Sequence, residues 1–132
     1  MNRIELIQAL LPLLYDWSKT TKEVVGSYGG KHDVEKLIDF YITNDEFIEA
    51  CVGLRIPHME GHPNYVFYMK RRFDTTLYRN RITERPKGYY KKKWQVYLDA
   101  KEKSNDIVNN LIENVEGETR FQRLASVVGH HP

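Results

Sequence analysis

The sequence predicts a mainly α-helical protein that folds as one compact domain over residues 1–132, with six or seven helices. Three observations support this prediction. The length is typical of one domain. Apolar residues, 41% of the chain, recur every three or four positions and are not diluted by polar runs, which indicates amphipathic helices around a core. Residue pairs that start helices also recur along the chain.

Four helix starts in the first half are marked by a capping residue followed three positions later by an acid. The first side chain accepts a hydrogen bond from a free backbone N–H, and the later carboxylate suits the positive end of the helix dipole. These pairs are Asn2 with Glu5, Thr20 with Glu23, Thr43 with Glu46 and, as a looser match to the pattern, His32 with Glu35. They predict helices near residues 3–16, 21–27, 33–42 and 44–54.

A loop is predicted over residues 55–63, which contain two prolines and a glycine. From there apolar side chains recur every three to four positions, which predicts a helix over residues 64–82. Tyr65 to Tyr68 are also good strand formers, so residues 64–73 are compatible with either structure. The apolar positions of this pattern are Val66, Met69, Phe73 and Leu77.

The C-terminal half is predicted to hold one long helix and one short helix. Pro86 and Gly88 end the preceding segment, and an apolar stripe then runs over residues 89–115. Thr119 and Gln122 form a further capping pair, which predicts a short last helix.

Positive charge is concentrated in residues 65–97, which we call the basic segment. The net charge of the chain is +2, yet residues 1–64 carry −4 (six Lys/Arg against ten Asp/Glu). Residues 65–97 carry +8 (ten against two), and residues 98–132 carry −2 (four against six). Nine of the sixteen aromatic residues also lie within 65–97, so cations and rings share one stretch of the chain.

The basic segment predicts a small nucleic-acid-binding accessory protein, with DNA and RNA both open as partners. Lys and Arg side chains neutralise phosphates and release condensed counterions, and exposed rings stack on unpaired bases. Tyr89 is expected to project beside residues 91–93, with Tyr78 or Tyr65 as further rings. The predicted binding residues are Lys70, Arg71, Arg72, Arg79, Arg81, Arg85, Lys87, Tyr89, Lys91, Lys92 and Lys93.

A protein-interaction module, such as an inhibitor, adaptor or assembly factor, is the alternative. The basic segment would then bind an acidic protein surface, since Tyr, Trp and Arg are frequent in interface hot spots. It could instead pack against the acidic first half, within one chain or between copies in a homo-oligomer, or form a solvated helix face. A helix-turn-helix reader is disfavoured, because both candidate recognition helices, 33–42 and 44–54, are acidic.

The sequence contains no motif that predicts catalysis or a cofactor. His58, Glu60 and His62 are residue types that ligate zinc, but their spacing fits no standard site. The stretch 26–32 departs from a phosphate-binding loop in its spacing and has a histidine where that motif needs a hydroxyl. Cys51 has no base nearby in sequence and is expected to be a buried hydrophobic residue. We therefore expect no enzyme activity, metal or cofactor.

The expected location of the protein is the cytoplasm, without a membrane partner. The longest near-apolar run, residues 9–15, is far shorter than the roughly 20 residues that a membrane-spanning helix needs. No small-residue cleavage site follows that run, so the N-terminus does not resemble a signal peptide. The single cysteine excludes an internal disulfide, which fits a reducing compartment.

Overall fold

The computed structural model describes residues 1–74, 89–112 and 118–129, and for residues 89–91 the backbone alone. The protein is mainly helical, with five helices and two small antiparallel sheets within these residues. The predicted count of six or seven helices is not matched, because residues predicted as helical at 24–26 and 66–71 form strands. In chain order the elements are α1 (Arg3–Leu14), β1 (Tyr15–Asp16), β2 (Val24–Gly26), α2 (Ser27–Ile38), α3 (Asn44–Gly53), β3 (His58–Met59), β4 (Val66–Tyr68), β5 (Lys70–Arg71), α4 (Tyr89–Leu111) and α5 (Arg120–Val128).

Three of the predicted helix starts are confirmed, at the N-termini of α1, α3 and α5. At each start the capping side chain accepts a hydrogen bond from the backbone N–H three positions later, and that later side chain accepts one from the backbone N–H of the cap. The pairs are Asn2 with Glu5, Thr43 with Glu46 and Thr119 with Gln122. These contacts are local, so the sequence alone was sufficient to locate them.

The helix predicted over residues 21–27 is wrong. Val24 to Gly26 form β2, in which Val25 is buried and Val24 exposed, as expected for a strand with one face on the core. The β-branched valines favour this conformation. Because α2 begins directly afterwards at Ser27, the predicted start at His32 lies inside that helix.

The helix predicted over residues 64–82 is also wrong in its described part. Phe67 and Met69 are buried while Val66 and Tyr68 between and beside them are half-buried, which is the period of a strand. β4 forms the centre of a three-stranded sheet in the order β2-β4-β3, with Val25 and His58 both opposite Phe67. β5 pairs separately with β1. Residues 75–82 lie outside the described residues.

Phe47 on α3 lies at the centre of the core. Its fully buried ring makes edge-to-face contacts with Tyr15 and Phe67, at centroid distances of 6.5 and 6.0 Å. The ring also lies directly against Gly30 of α2, where a Cβ atom would overlap it. This glycine therefore lets α2 and α3 approach closely enough to bury the ring.

Arg3, the first residue of α1, links this helix to α3 and to the end of α5. Its guanidinium forms an ion pair with Glu46 on α3 and donates hydrogen bonds to the carbonyl oxygens of Tyr41 and Gly129, at 2.6 and 3.2 Å. It also lies over the Phe40 ring, 4.8 Å from the centroid. One nearly buried cation thus connects α1, α3 and the end of α5.

We expect Gly30→Ala to lower the free energy of unfolding by about 1–3 kcal/mol, because the new methyl group overlaps the Phe47 ring and forces the core to shift. Urea unfolding followed by circular dichroism measures this change. Gly29→Ala is the matched control, since it adds the same methyl group one position earlier in the same helix. At Gly29 the methyl group would meet only the terminal Nη2 of Arg71, at 3.3 Å, so this substitution should cost much less than Gly30→Ala. Equal effects at the two positions would contradict the packing described for Phe47.

We expect Glu46 to make stability depend on acidic pH. Burial alone would raise the pKa of this carboxyl, but hydrogen bonds from Arg3 and Thr43 outweigh it and leave the pKa below its usual value. The stabilisation of the fold by ionised Glu46 is therefore complete above the ordinary glutamate pKa and is lost as the pH falls through the lower pKa of the folded state.

Glu46→Gln should accordingly lower the free energy of unfolding by about 1.5–3 kcal/mol at neutral pH, which is the range for hydrogen bonds to charged groups. The cost should shrink as the pH falls below the ordinary glutamate pKa and through the lower folded value, because the native carboxyl then also becomes neutral. Urea unfolding of both proteins across this pH range measures the difference, and a cost that stays constant with pH would be inconsistent with an ionised Glu46.

Candidate nucleic-acid interface

Residues 70 and 71 of the basic segment are held at the surface by the pairing of β5 with β1. Lys70 lies opposite Asp16 and Arg71 opposite Tyr15. Because neighbouring residues of a strand point to opposite faces, Arg71 is directed away from the side on which Lys70 lies. The backbone N–H of Arg72 then donates to the carbonyl oxygen of Leu14 at 2.9 Å and extends the pairing by one residue.

The second half of the basic segment, at the start of α4, lies beside the first. The ammonium group of Lys93 donates a hydrogen bond to the carbonyl oxygen of Arg72 at 3.1 Å. The Arg72 side chain in turn donates from Nε to the carbonyl oxygen of Pro12 at 2.8 Å and remains exposed. Lys92 next to Lys93 is also exposed. We call Lys70, Arg72, Lys92 and Lys93 the basic edge.

A further lysine belongs near the basic edge although the sequence analysis did not select it. The carboxylate of Asp16 accepts hydrogen bonds from the side chain and backbone of Ser18, at 2.6 and 2.9 Å, and these lower its pKa. The positive charges of Arg72 and Lys19 act on the pKa of Asp16 in the same direction, so both lie near this carboxylate. Lys19 was missed because it belongs to the net acidic first half of the sequence.

Arg71 lies apart from the basic edge and is bound to a buried carboxylate. Its Nε donates to Oδ2 of Asp33 at 3.0 Å, and the Asp33 side chain is 5% exposed. The Tyr15 hydroxyl donates to the same oxygen at 2.5 Å. Burial and the neighbouring Asp33 charge raise the pKa of Tyr15, so its hydroxyl stays protonated and can act as the donor of this hydrogen bond.

The remaining predicted residues cannot be assigned to this surface. Arg79, Arg81, Arg85, Lys87 and the possible stacking ring Tyr78 lie outside the described residues. Tyr89 and Lys91 belong to the first turn of α4, and their side chains lie outside the described part. Tyr65 is half-buried and stacks on His58, with a centroid distance of 5.6 Å. Its ring therefore contributes to the packing of the β3–β4 hairpin.

The other candidate sites gain no further ligands from the described residues. His58 is directed to the carbonyl oxygen of Ile56, with 2.9 Å between Nδ1 and the oxygen. No group of three metal-ligating side chains is found in the described ranges. The ammonium group of Lys31, in the stretch 26–32 that departs from a phosphate-binding loop, is bound to Glu35 and to the carbonyl oxygen of Ile42. Cys51 is buried, and burial raises the pKa of its thiol.

No protein-family model, curated protein or solved structure matches the chain. Among the helices in the described ranges, none combines the length and the apolar character that crossing a membrane requires.

Proposed function

We propose that the protein is a non-enzymatic nucleic-acid-binding accessory factor that contacts phosphates through the basic edge. The observation that carries this proposal is the hydrogen bond between Lys93 Nζ and the carbonyl oxygen of Arg72. It joins two runs of cations that lie 21 positions apart in sequence. A continuous basic surface is what a polyanion needs in order to release counterions from several adjacent phosphates.

The charges of the basic edge are available for a ligand. Lys70 and Lys92 are exposed and form no ion pair with any described residue. The side chains of Lys93 and Arg72 donate to backbone carbonyl oxygens and form no ion pair with a described residue, although the Asp16 carboxylate lies near Arg72. Four phosphate contacts would give a slope of about −3 to −4 in a plot of log affinity against log salt.

The connectivity of the fold supports the same class of partner by analogy. Apart from the two-residue β1, the order α1–β2–α2–α3–β3–β4 with the sheet order β2-β4-β3 is that of the winged helix-turn-helix, an arrangement found in many DNA-binding proteins. In this arrangement α3 would be the recognition helix, but it exposes Asp45 and Glu49. Phosphates would be repelled there, so the proposal assigns contact to the basic edge and not to α3.

An acidic protein surface is the second candidate partner, and exposed apolar residues on α4 favour it. Val96 and Leu98, within two turns of Lys92, are 36% and 40% exposed. Apolar side chains next to cations can anchor a protein partner, whereas phosphates gain nothing from them.

We expect Lys92→Glu/Lys93→Glu to weaken binding about tenfold or more at low salt, because each change removes a phosphate contact and adds a repelling charge. Fluorescence anisotropy with labelled single-stranded and double-stranded DNA and RNA, across a salt series, measures both affinity and slope. The slope of the variant should be shallower by nearly 2 on duplex DNA, since about 0.9 is lost per phosphate.

Lys36→Glu/Lys103→Glu is the matched control, with one change on α2 and one in the C-terminal half of α4. Both double variants replace two positive charges by two negative charges, so each changes the net charge of the chain from +2 to −2. Equal weakening by both would indicate a general charge effect and would refute the site. Absence of binding by the unmodified protein at low ionic strength would refute the proposed function, and capture by an acidic protein would then favour the second candidate.

A further inference from the structure

The pair Arg71–Asp33 combines a buried carboxylate with a guanidinium that reaches the surface. Asp33 Oδ2 accepts from the Tyr15 hydroxyl inside the core and from Arg71 Nε at the boundary. The Arg71 side chain remains 40% exposed. Its two terminal Nη groups form no hydrogen bond to any described residue, so they keep their donors for another acceptor.

The guanidinium has a fixed place over α2. A Cβ atom built on Gly29 would lie 3.3 Å from Nη2 of Arg71, so this end of the side chain lies against the glycine. Gly29 and Asp33 are four residues apart and therefore lie on the same face of α2. Arg71 thus spans this face, with Nε bound to the carboxylate at one position and Nη2 against the backbone at the other.

This arrangement lowers the entropic cost of binding an anion. A surface arginine normally loses much side-chain freedom when it binds a ligand, but here the buried carboxylate has already restricted it. The planar fork of a guanidinium also suits the oxygens of a phosphate, to which it can donate two parallel hydrogen bonds.

We propose that Arg71 binds a backbone phosphate of the nucleic acid and that Asp33, itself bound by Tyr15, is the positioning residue that holds it. This inference rests on the proposed function, and it adds a contact on the face of β5 opposite Lys70. The nucleic acid would then follow the edge of β5 and contact both faces of the strand.

The test compares the unmodified protein with Arg71→Gln in the anisotropy salt series on duplex DNA. This substitution removes the charge and both Nη groups. We expect about a tenfold loss of affinity at low salt and a slope shallower by about 0.9, the change for one phosphate. An unchanged slope, in an unmodified protein that binds, would overturn the inference and leave the basic edge in place.

A double-mutant cycle separates positioning from simple stabilisation. Asp33→Asn should weaken binding in the Arg71 background and have no further effect in the Arg71→Gln background, because it acts through Arg71. Equal losses in both backgrounds would show a structural role only and would overturn the positioning of Arg71 by Asp33.

Gly29→Leu keeps the cycle informative if Asp33→Asn does not fold. Leucine favours a helix, but its side chain needs the volume in which Nη2 lies. Each Gly29→Leu variant is compared with the protein that keeps Gly29 in the same background. We expect a folded variant that binds several-fold more weakly when Arg71 is present. In the Arg71→Gln background we expect the two to bind equally well. The same weakening in both backgrounds would contradict a role for Arg71. If the unmodified protein binds no nucleic acid, the proposed function fails first, whereas failure of these variants alone removes only Arg71.

Discussion

The hydrogen bonds of the buried Asp33 carboxylate are the constraint on which the surface of this protein depends. Tyr15 reaches it from the end of α1 and Arg71 reaches it from β5, while Asp33 itself belongs to α2. A buried carboxylate without such donors would cost several kcal/mol, so the three elements are held together by the need to satisfy one charge. The β1–β5 register, in which Tyr15 lies opposite Arg71, agrees with this requirement. Because Arg71 is directed towards Asp33, alternation along the strand places Lys70 on the other face, and the chain then leads to Arg72 and its contact with Lys93.

The features that could be predicted from the sequence are those determined by neighbours along the chain. The capping boxes at Asn2, Thr43 and Thr119 lie within three residues of their partners, and each was located correctly. The strands could not be placed in this way, because β2 and β4 pair across about 40 residues and neither is stable alone. In residues 66–73 the apolar positions fit a helical period as well as a strand, and pairing with both β2 and β3 decides between them.

The candidate site, too, could be predicted from the sequence only where it depends on neighbours along the chain. The sequence showed that cations are concentrated in residues 65–97, but it could not show that Arg72 and Lys93 lie together or that Arg71 faces the opposite way. Both facts depend on the pairing of β5 with β1 and on the packing of α4 against α1 and α2. Lys19 lies in the net acidic first half of the sequence, so the charge distribution along the chain does not indicate it, whereas a ligand meets charges that are close in space.

Some cations of the protein bind buried acceptors and stabilise the fold, whereas others are exposed and can bind a ligand. Arg3 and Lys31 are nearly buried and neutralise carboxylates, and Lys101 is half-buried, where burial lowers its pKa while its ammonium group donates to the carbonyl oxygen of Leu37 at 2.5 Å. The fold needs these three cations, since removing one would leave buried acceptors unsatisfied. The exposed Lys70 and Lys92 satisfy no acceptor among the described residues. Arg72 and Lys93 donate to backbone carbonyl oxygens and so contribute to the fold as well, but clustering their charges with those of Lys70 and Lys92 adds repulsion and no folding stability. A polyanionic partner would relieve this repulsion and gain binding free energy as its counterions are released.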